Sequence, residues 1–301
     1  MVQIYKEDLE VYLSVLGHKP VGSYIVGFEG LVVAFEQKGR EVIDYGGKLG
    51  ARWTNKQIPV VLDSVIKLPS ENQTIGNIDD LIIIVDDSPE LALSTGKVNA
   101  DRASMVSRGS AQISYGPTKY VLSDSPSLGP DILRPRPGDA VNYYDVNMDR
   151  KVTLEEVAGG SVRYNNRTIL GHAMGLSEGC WGPLGGRDGR AWRYLIDVAK
   201  KHLGSNDYIE VFILHGHDFW NWCAEGDENW IPFLHVGQRG PKVKEMQELL
   251  TKRGFELTCD GDFGPKTAKA VIKFRTNKGL DNLGWAERGF TKRDWGVLLG
   301  D

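Results

Sequence analysis

The strongest constraint on the fold lies at the C-terminal end, where two amphipathic segments flank a glycine-rich turn. Val236-Gly-Gln-Arg-Gly-Pro-Lys-Val-Lys-Glu-Met-Gln-Glu-Leu-Leu opens with a Gly/Pro turn and predicts a helix with Val243, Met246, Leu249 and Leu250 on one side, stopped by Gly254. In Asp260-Gly-Asp-Phe-Gly-Pro-Lys-Thr the two glycines permit a tight reversal, Phe263 is free to enter a core, and Pro265 suits a first helical turn. The next helix turns Ala270, Val271 and Phe274 inward, and a short third one begun by Thr291 brings Trp295, Leu298 and Leu299. Each helix has only one apolar stripe, so the three must bury those stripes together. A small three-helix domain over residues 235–301 is expected.

The remaining 234 residues exceed one small core and predict a multidomain α+β chain. Residues 1–130 carry short β-type runs such as Gly22-Ser-Tyr-Ile-Val-Gly-Phe, Leu31-Val-Val-Ala-Phe, Ile58-Pro-Val-Val-Leu and Leu81-Ile-Ile-Ile-Val, and read as a β-rich N-terminal domain. Ser123-Asp-Ser-Pro-Ser-Leu-Gly-Pro and Arg134-Pro-Arg-Pro-Gly are dense in Pro, Ser and Gly and read as a linker. Residues 140–233 read as an α-helical middle domain, with helices at 167–178 and 190–202, the latter turning Trp192, Leu195, Ile196 and Ala199 to one face. Five of the eight tryptophans fall between Trp181 and Trp230, a density that suits either a core or a sugar-stacking cleft.

Composition narrows the classes further. With 41% hydrophobic and 25% charged residues the chain has an ordinary globular balance. The start MVQIYKEDLEVYL lacks the pattern of a secretory signal, no apolar run is long enough for a membrane span, and three scattered cysteines do not make a disulfide scaffold. The net charge of −4 is unevenly divided: 13 Lys/Arg against 9 Asp/Glu from His235 onward, and 23 against 31 before it. A basic tail on an acidic body favours an anionic surface; no nucleic-acid reading motif accompanies it.

The order Gly-Gln-Arg-Gly-Pro, Val-Lys-x-Met-Gln-x-Leu-Leu, Asp-Gly-Asp-Phe-Gly-Pro-Lys-Thr, Ala-Val-x-x-Phe and Lys-Gly-Leu resembles the three-helix peptidoglycan-binding domain attached to many cell-wall hydrolases. Arg275 replaces the usual Gln after the helix phenylalanine, and Gly284-Trp-Ala-Glu-Arg-Gly-Phe replaces a second Asp-Gly-x-x-Gly turn. The resemblance implies bacterial peptidoglycan as partner. Asp260, Asp262, Arg275 and Trp285 are the candidate contacts, because stem peptides need hydrogen-bonding groups and glycan needs an aromatic face.

Asp145-Val-Asn-Met-Asp-Arg-Lys-Val-Thr-Leu-Glu-Glu resembles the twelve-residue calcium loop of EF-hand and dockerin-type modules. Asp145, Asn147 and Asp149, the Lys151 carbonyl, Thr153 and Glu156 would supply the oxygens of a structural calcium site, with Arg150 where glycine normally bends the loop. An Asp/Asn turn leading into a helix capped near Thr153 is the metal-free reading.

Two segments carry candidate chemistry. Ile169-Leu-Gly-His-Ala-Met-Gly-Leu-Ser-Glu-Gly resembles the helix of lysozyme-like and transglycosylase domains that delivers one glutamate to a cleft. Glu178 would be a general acid, Trp181 a cleft wall, and Asp188 or Asp197 a second carboxylate. Ile209-Glu-Val-Phe-Ile-Leu-His-Gly-His-Asp ends in an HxH pair, His215 and His217, that could hold zinc with His172 or Asp207, as in some peptidoglycan amidases and peptidases.

Together these features lead to the expectation of a phage-type peptidoglycan hydrolase, endolysin or virion-associated lysin, present in a virion or in host cytoplasm before reaching the wall. A zinc amidase or peptidase is one alternative. The other is a non-catalytic tail or virion protein whose residues 1–130 contact other phage proteins. The calcium reading makes its own prediction: a chelator lowers the Tm of the purified protein and added calcium restores it, whereas superimposable melting curves remove calcium from the account.

Overall fold

The computed structural model describes residues 2–3, 6–29, 31–37, 40–43, 59–62, 80–87, 92–97, 110–113, 115–139, 141–145, 152–160, 163–165, 171, 181–183, 190–226, 230–281 and 284–300. Helices are labelled α1 (Lys6–Val15), α2 (Leu154–Ala158), α3 (Arg190–Leu203), α4 (Gly216–Glu225), α5 (Pro241–Lys252), α6 (Pro265–Lys278) and α7 (Lys292–Gly300). The fold is α+β.

Its largest sheet among the described residues runs in the order Gly129–Pro135, Gly116–Ser125, Ile209–His215, Tyr24–Glu29, Asp80–Val85, Ala92–Lys97, Gly182–Pro183. The pairing of Ile209–His215 with Tyr24–Glu29 is parallel, with Phe212 opposite Val26, and the other neighbours are antiparallel. Both faces are covered, which is why the inner strands are almost continuously apolar. Tyr24, Val26, Phe28, Leu81, Ile83, Phe212 and Leu214 face α1 and α4, while Ile25, Ile82, Ile84, Ile209, Val211 and Ile213 face α3. Trp192, Leu195, Ile196 and Ala199 form the buried side of α3, as the helical period predicts. Trp181, Trp192, Trp222 and Trp230 are all buried, so the tryptophan density is core at those four positions.

The expected division between residues 1–130 and 140–233 differs from this arrangement, because one sheet takes strands from both sides of it. The Pro/Ser/Gly segment read as a linker is a β-hairpin: Gly116–Ser125 turns through residues 126–128 into Gly129–Pro135. Proline is tolerated there because Gly129–Pro135 is the edge strand of the named sheet, bridged on its outer side at Leu133 to Gly171 rather than by a continuous ladder among the described residues. The middle segment is also not purely helical, since Val141–Asp145 pairs with Arg163–Asn165 and with Ser110–Ile113.

The C-terminal region forms its own core, centred on Val243, Met246, Leu250, Phe263, Val271, Phe274, Phe290, Trp295 and Leu298. Leu249 is only partly buried and Leu299 is 60% exposed, because the latter lies in the last turn of α7. One helix from outside the module completes this core: α2 inserts Leu154 and Val157, both fully buried, beside the module's helices. Leu154→Ala is therefore expected to destabilise the C-terminal core by about 2–5 kcal/mol. Chemical denaturation of the full chain, followed by tryptophan emission, measures it; a change under about 0.5 kcal/mol would show that α2 is not part of that core.

Candidate functional site

The glycine-rich turn between α5 and α6 is held by one buried side chain, Gln247 on α5. Its Nε2 lies 2.9 Å from Asp260 Oδ1, 3.0 Å from the Asp262 carbonyl and 3.0 Å from Thr267 Oγ1, and its Oε1 accepts the Gly261 N–H at 2.8 Å. Asp260 Oδ1 also accepts the Asp262 N–H at 3.0 Å, and Thr267 Oγ1 donates to the Asp262 carbonyl. A buried amide must fill its hydrogen-bonding capacity, and here it does so by templating the turn. Gly261, at φ +74°, has the Gly240 carbonyl 3.1 Å from where a Cβ would stand, so this position requires glycine. Asp260 remains exposed at the rim and Asp262 is half-buried.

Arg275 is placed in the interior. It is 0% exposed, and its guanidinium donates through Nε to Asp294 Oδ1 at 2.8 Å and through Nη2 to Asp294 Oδ2 at 2.5 Å and to the Gly289 carbonyl at 2.6 Å. Asp294 also accepts the Thr291 N–H at 2.7 Å and the Thr291 hydroxyl, which fixes the start of α7. A bidentate buried pair of this kind joins α6 to α7 and offers a ligand no surface. Trp285 lies on the 3-10 segment Gly284–Arg288, and its side chain is outside the described residues.

The module packs directly against the body along a seam. The Arg239 N–H donates to the Tyr115 carbonyl at 3.3 Å, the Arg239 guanidinium donates to the Asp139 carbonyl, and the Trp295 indole donates to the Pro232 carbonyl at 2.9 Å. Gly116, at φ +103°, has the Arg239 carbonyl 2.8 Å from where its Cβ would be, a closeness any larger residue would forbid. His235 is buried in the seam, stacked on Tyr115 at 4.1 Å with His215 at 4.5 Å. Burial, with the neighbouring His215 and Arg288, holds its imidazole well below the usual histidine range.

Beside the seam lies a cleft of about 250 Å³ lined by His215, Asp218, Asn221, Glu225, Trp230, Ile231, Phe233, Thr291 and Lys292. The strand Ile209–His215 ends at its wall and α4 starts there, placing His215 and Asp218 within one helical turn of each other. Asp218 is buried, with Oδ1 accepting the Phe233 N–H at 3.0 Å and Oδ2 accepting the Tyr12 hydroxyl at 3.2 Å. Burial pushes its carboxyl up to about 7, and those hydrogen bonds only partly oppose the rise. At the rim Lys292 pairs with Glu225 at 2.7 Å, bridging module to body. A buried acid at the foot of a cleft is a recurrent mark of a functional site. Neither Asp218 nor Gln247 stood out as a site residue in the sequence, because each is ordinary helix composition until the loops packed on it are known.

Glu178, Asp188, His172, Asn147, Asp149 and Lys151 lie outside the described residues, as does the side chain of His217. Glu178 falls in a segment whose flanks are described: Gly171 bridges Trp181 in parallel and Leu133 in antiparallel fashion. Trp181 is fully buried, edge-on to Tyr120 at 5.4 Å. Asp197, on α3, and Asp207, just before the strand Ile209–His215, are both exposed. In the calcium-type segment, Asp145 ends a strand and Glu156 belongs to a capping box. Glu156 Oε2 accepts the Thr153 N–H at 2.9 Å and the Thr153 hydroxyl at 3.0 Å, while the Glu156 N–H donates to Thr153 Oγ1 at 3.2 Å. Glu156 Oε2 is thus engaged by Thr153 at the start of α2. Among the described residues no cluster of three or more His, Cys, Asp or Glu side chains has metal-binding geometry.

Residues 239–282 match the peptidoglycan-binding domain family. No curated protein and no solved structure matches the chain. The match covers 44 of the 301 residues and supports a peptidoglycan-binding domain at the C-terminal end, with peptidoglycan as its partner. No helix among the described residues is long and apolar enough to cross a membrane.

The raised carboxyl of Asp218 has a defined consequence for stability. Because the folded-state value of about 7 stands above the unfolded value near 3.9, the unfolded chain releases this proton first, and stability falls as pH rises from about 4 to about 7. Asp218→Asn removes this contribution, so its stability relative to wild type should improve steadily across that interval in denaturation curves. A pH-independent difference would place the carboxyl's titration elsewhere.

Proposed function

We propose that the chain is a peptidoglycan-targeted cell-wall hydrolase of phage type, in which the C-terminal module holds the polymer while the sheet-based body cuts it. The observation that carries this reading is the seam. A wall-binding domain on a flexible tether would leave the body's position free, whereas this one shares hydrogen bonds, a stacked aromatic contact and an ion pair with the body. Polymer bound to the module is then presented to a constant face of the body, which is how binding energy is used for positioning.

Within the body, the segment 172–180 is the leading place for the reaction. Its described flanks, Gly171 and Trp181, form a β-bridge with each other on the body. It carries Glu178, proposed as the general acid of a glycosidase with Asp188 as second carboxylate, and also His172 and Cys180. A second reading, metal-assisted amide hydrolysis using His215 and His217, draws support from the position of His215 on the cleft wall beside Asp218.

Product analysis on purified sacculi separates these readings. Glycosidase action releases reducing ends and is lost in Glu178→Gln with wall binding intact. Release of free amine that is lost with a chelator and with His215→Ala selects the metal-assisted reaction. Amide chemistry that survives chelation but is lost in Cys180→Ser and His172→Ala moves the reaction to a thiol nucleophile. Binding without release of either group by the wild-type protein overturns the hydrolase reading in favour of a structural virion component.

A further inference from the structure

The face of the module that meets its polymer can be argued from charge. Helix α6 contains no aspartate or glutamate along Pro265–Lys278. Its inward side is spent on the core, through Ala268, Val271 and Phe274, and its one arginine is consumed by Asp294. What remains outside includes Lys266, Lys269 and Lys273, all exposed. Their spacing of three and then four residues sets them on one stripe of the helix, with about 4.5 Å and 6 Å of rise between successive positions. None of the three makes a hydrogen bond or ion pair among the described residues, whereas Lys242, Lys200, Lys201 and Lys292 elsewhere are each paired with a carboxylate. The stripe begins at Lys266, four residues after Asp262 in the turn that Gln247 templates. The acids of that turn are less suited to recognition: Asp260 Oδ1 is occupied by Gln247 and by the Asp262 N–H.

Three like charges held within about one Debye length act as a single positive surface toward a chain of anions. They also repel each other, so the arrangement has an unfavourable internal term that an anionic polymer would remove.

We infer that the outer face of α6, formed by Lys266, Lys269 and Lys273, is the surface through which the module grips the free carboxylates of peptidoglycan stem peptides. This rests on the peptidoglycan-binding reading and deepens it, moving the primary contacts from Asp260 and Arg275 to the lysines. Carboxylates spaced along the wall meet the ammonium groups as exposed ion pairs, individually weak and collectively salt-sensitive.

The test uses the full-length chain and purified sacculi extracted to remove phosphate-bearing polymers, with binding measured by co-sedimentation over a salt series. The triple variant K266Q/K269Q/K273Q is expected to bind roughly tenfold more weakly at low salt and to lose most of its salt dependence. The charge-retaining K266R/K269R/K273R should bind as wild type, and K200Q/K201Q on the body should too. Amidation of the sacculus carboxyls should bring wild type down to the level of the glutamine variant. Wild-type binding equal to that of the glutamine variant, or unaffected by amidation, overturns the assignment of the stripe while leaving peptidoglycan binding in place. Loss of binding only on phosphate extraction assigns the stripe to the phosphate polymer and overturns the carboxylate reading. Failure of the wild-type protein to sediment with any sacculi refutes the underlying reading instead.

Discussion

The parallel pairing between Ile209–His215 and Tyr24–Glu29 is the contact on which the rest of the structure depends. It joins segments roughly 180 residues apart and places the late strand between Tyr24–Glu29 and Gly116–Ser125. Forming it requires a long loop to close, a cost recovered only when both faces of the sheet are covered by α1, α4 and α3. The strand's alternation divides the work, since Val211 and Ile213 complete one core while Phe212 and Leu214 complete the other. Its C-terminal end is also where α4 begins, so the register that buries these side chains delivers His215 and Asp218 to the cleft.

The C-terminal module depends on a different kind of interaction. Two buried polar groups, Gln247 and Arg275, organise its non-helical parts by accepting and donating to backbone that would otherwise be unsatisfied. Gln247 shapes the turn between α5 and α6; Arg275, through Asp294, ties the beginning of α7 to the last turn of α6. With its polar interior closed in this way, the module meets the body through backbone contacts at Gly116 and Arg239 and through the His235–Tyr115 stack. The helix α2 strengthens the union by lending Leu154 and Val157 to the module's core.

Much of the module was legible in the amino-acid order. Helix faces follow from apolar spacing, and Val243, Met246, Leu250, Phe263, Val271, Phe274 and Trp295 are buried where the periodicity places them. The body was less legible. Proline and serine around residues 123–135 look like a linker in any local reading, and only the position of that hairpin at the sheet's edge explains their presence. Arg275 illustrates the same limit from the opposite side. A charged residue departing from a family pattern suggests a surface contact, but its partner Asp294 is 19 positions away and the pair closes inward.

Local sequence by itself determined the three amphipathic helices, the glycine-dependent turn before α6, the apolar strands and the likeness of the C-terminal region to a peptidoglycan-binding domain. These follow from short-range periodicity, from the φ values that only glycine reaches easily, and from motifs spaced within one module. Tertiary structure alone decided that one sheet spans the expected domain boundary, that α2 belongs to the module's core, and that Asp218 sits beneath a cleft. It also decided which charges of the module remain at the surface. The physical reason is that burial and pairing between residues far apart in the chain depend on how the elements pack, and that packing is not written in any local stretch of residues.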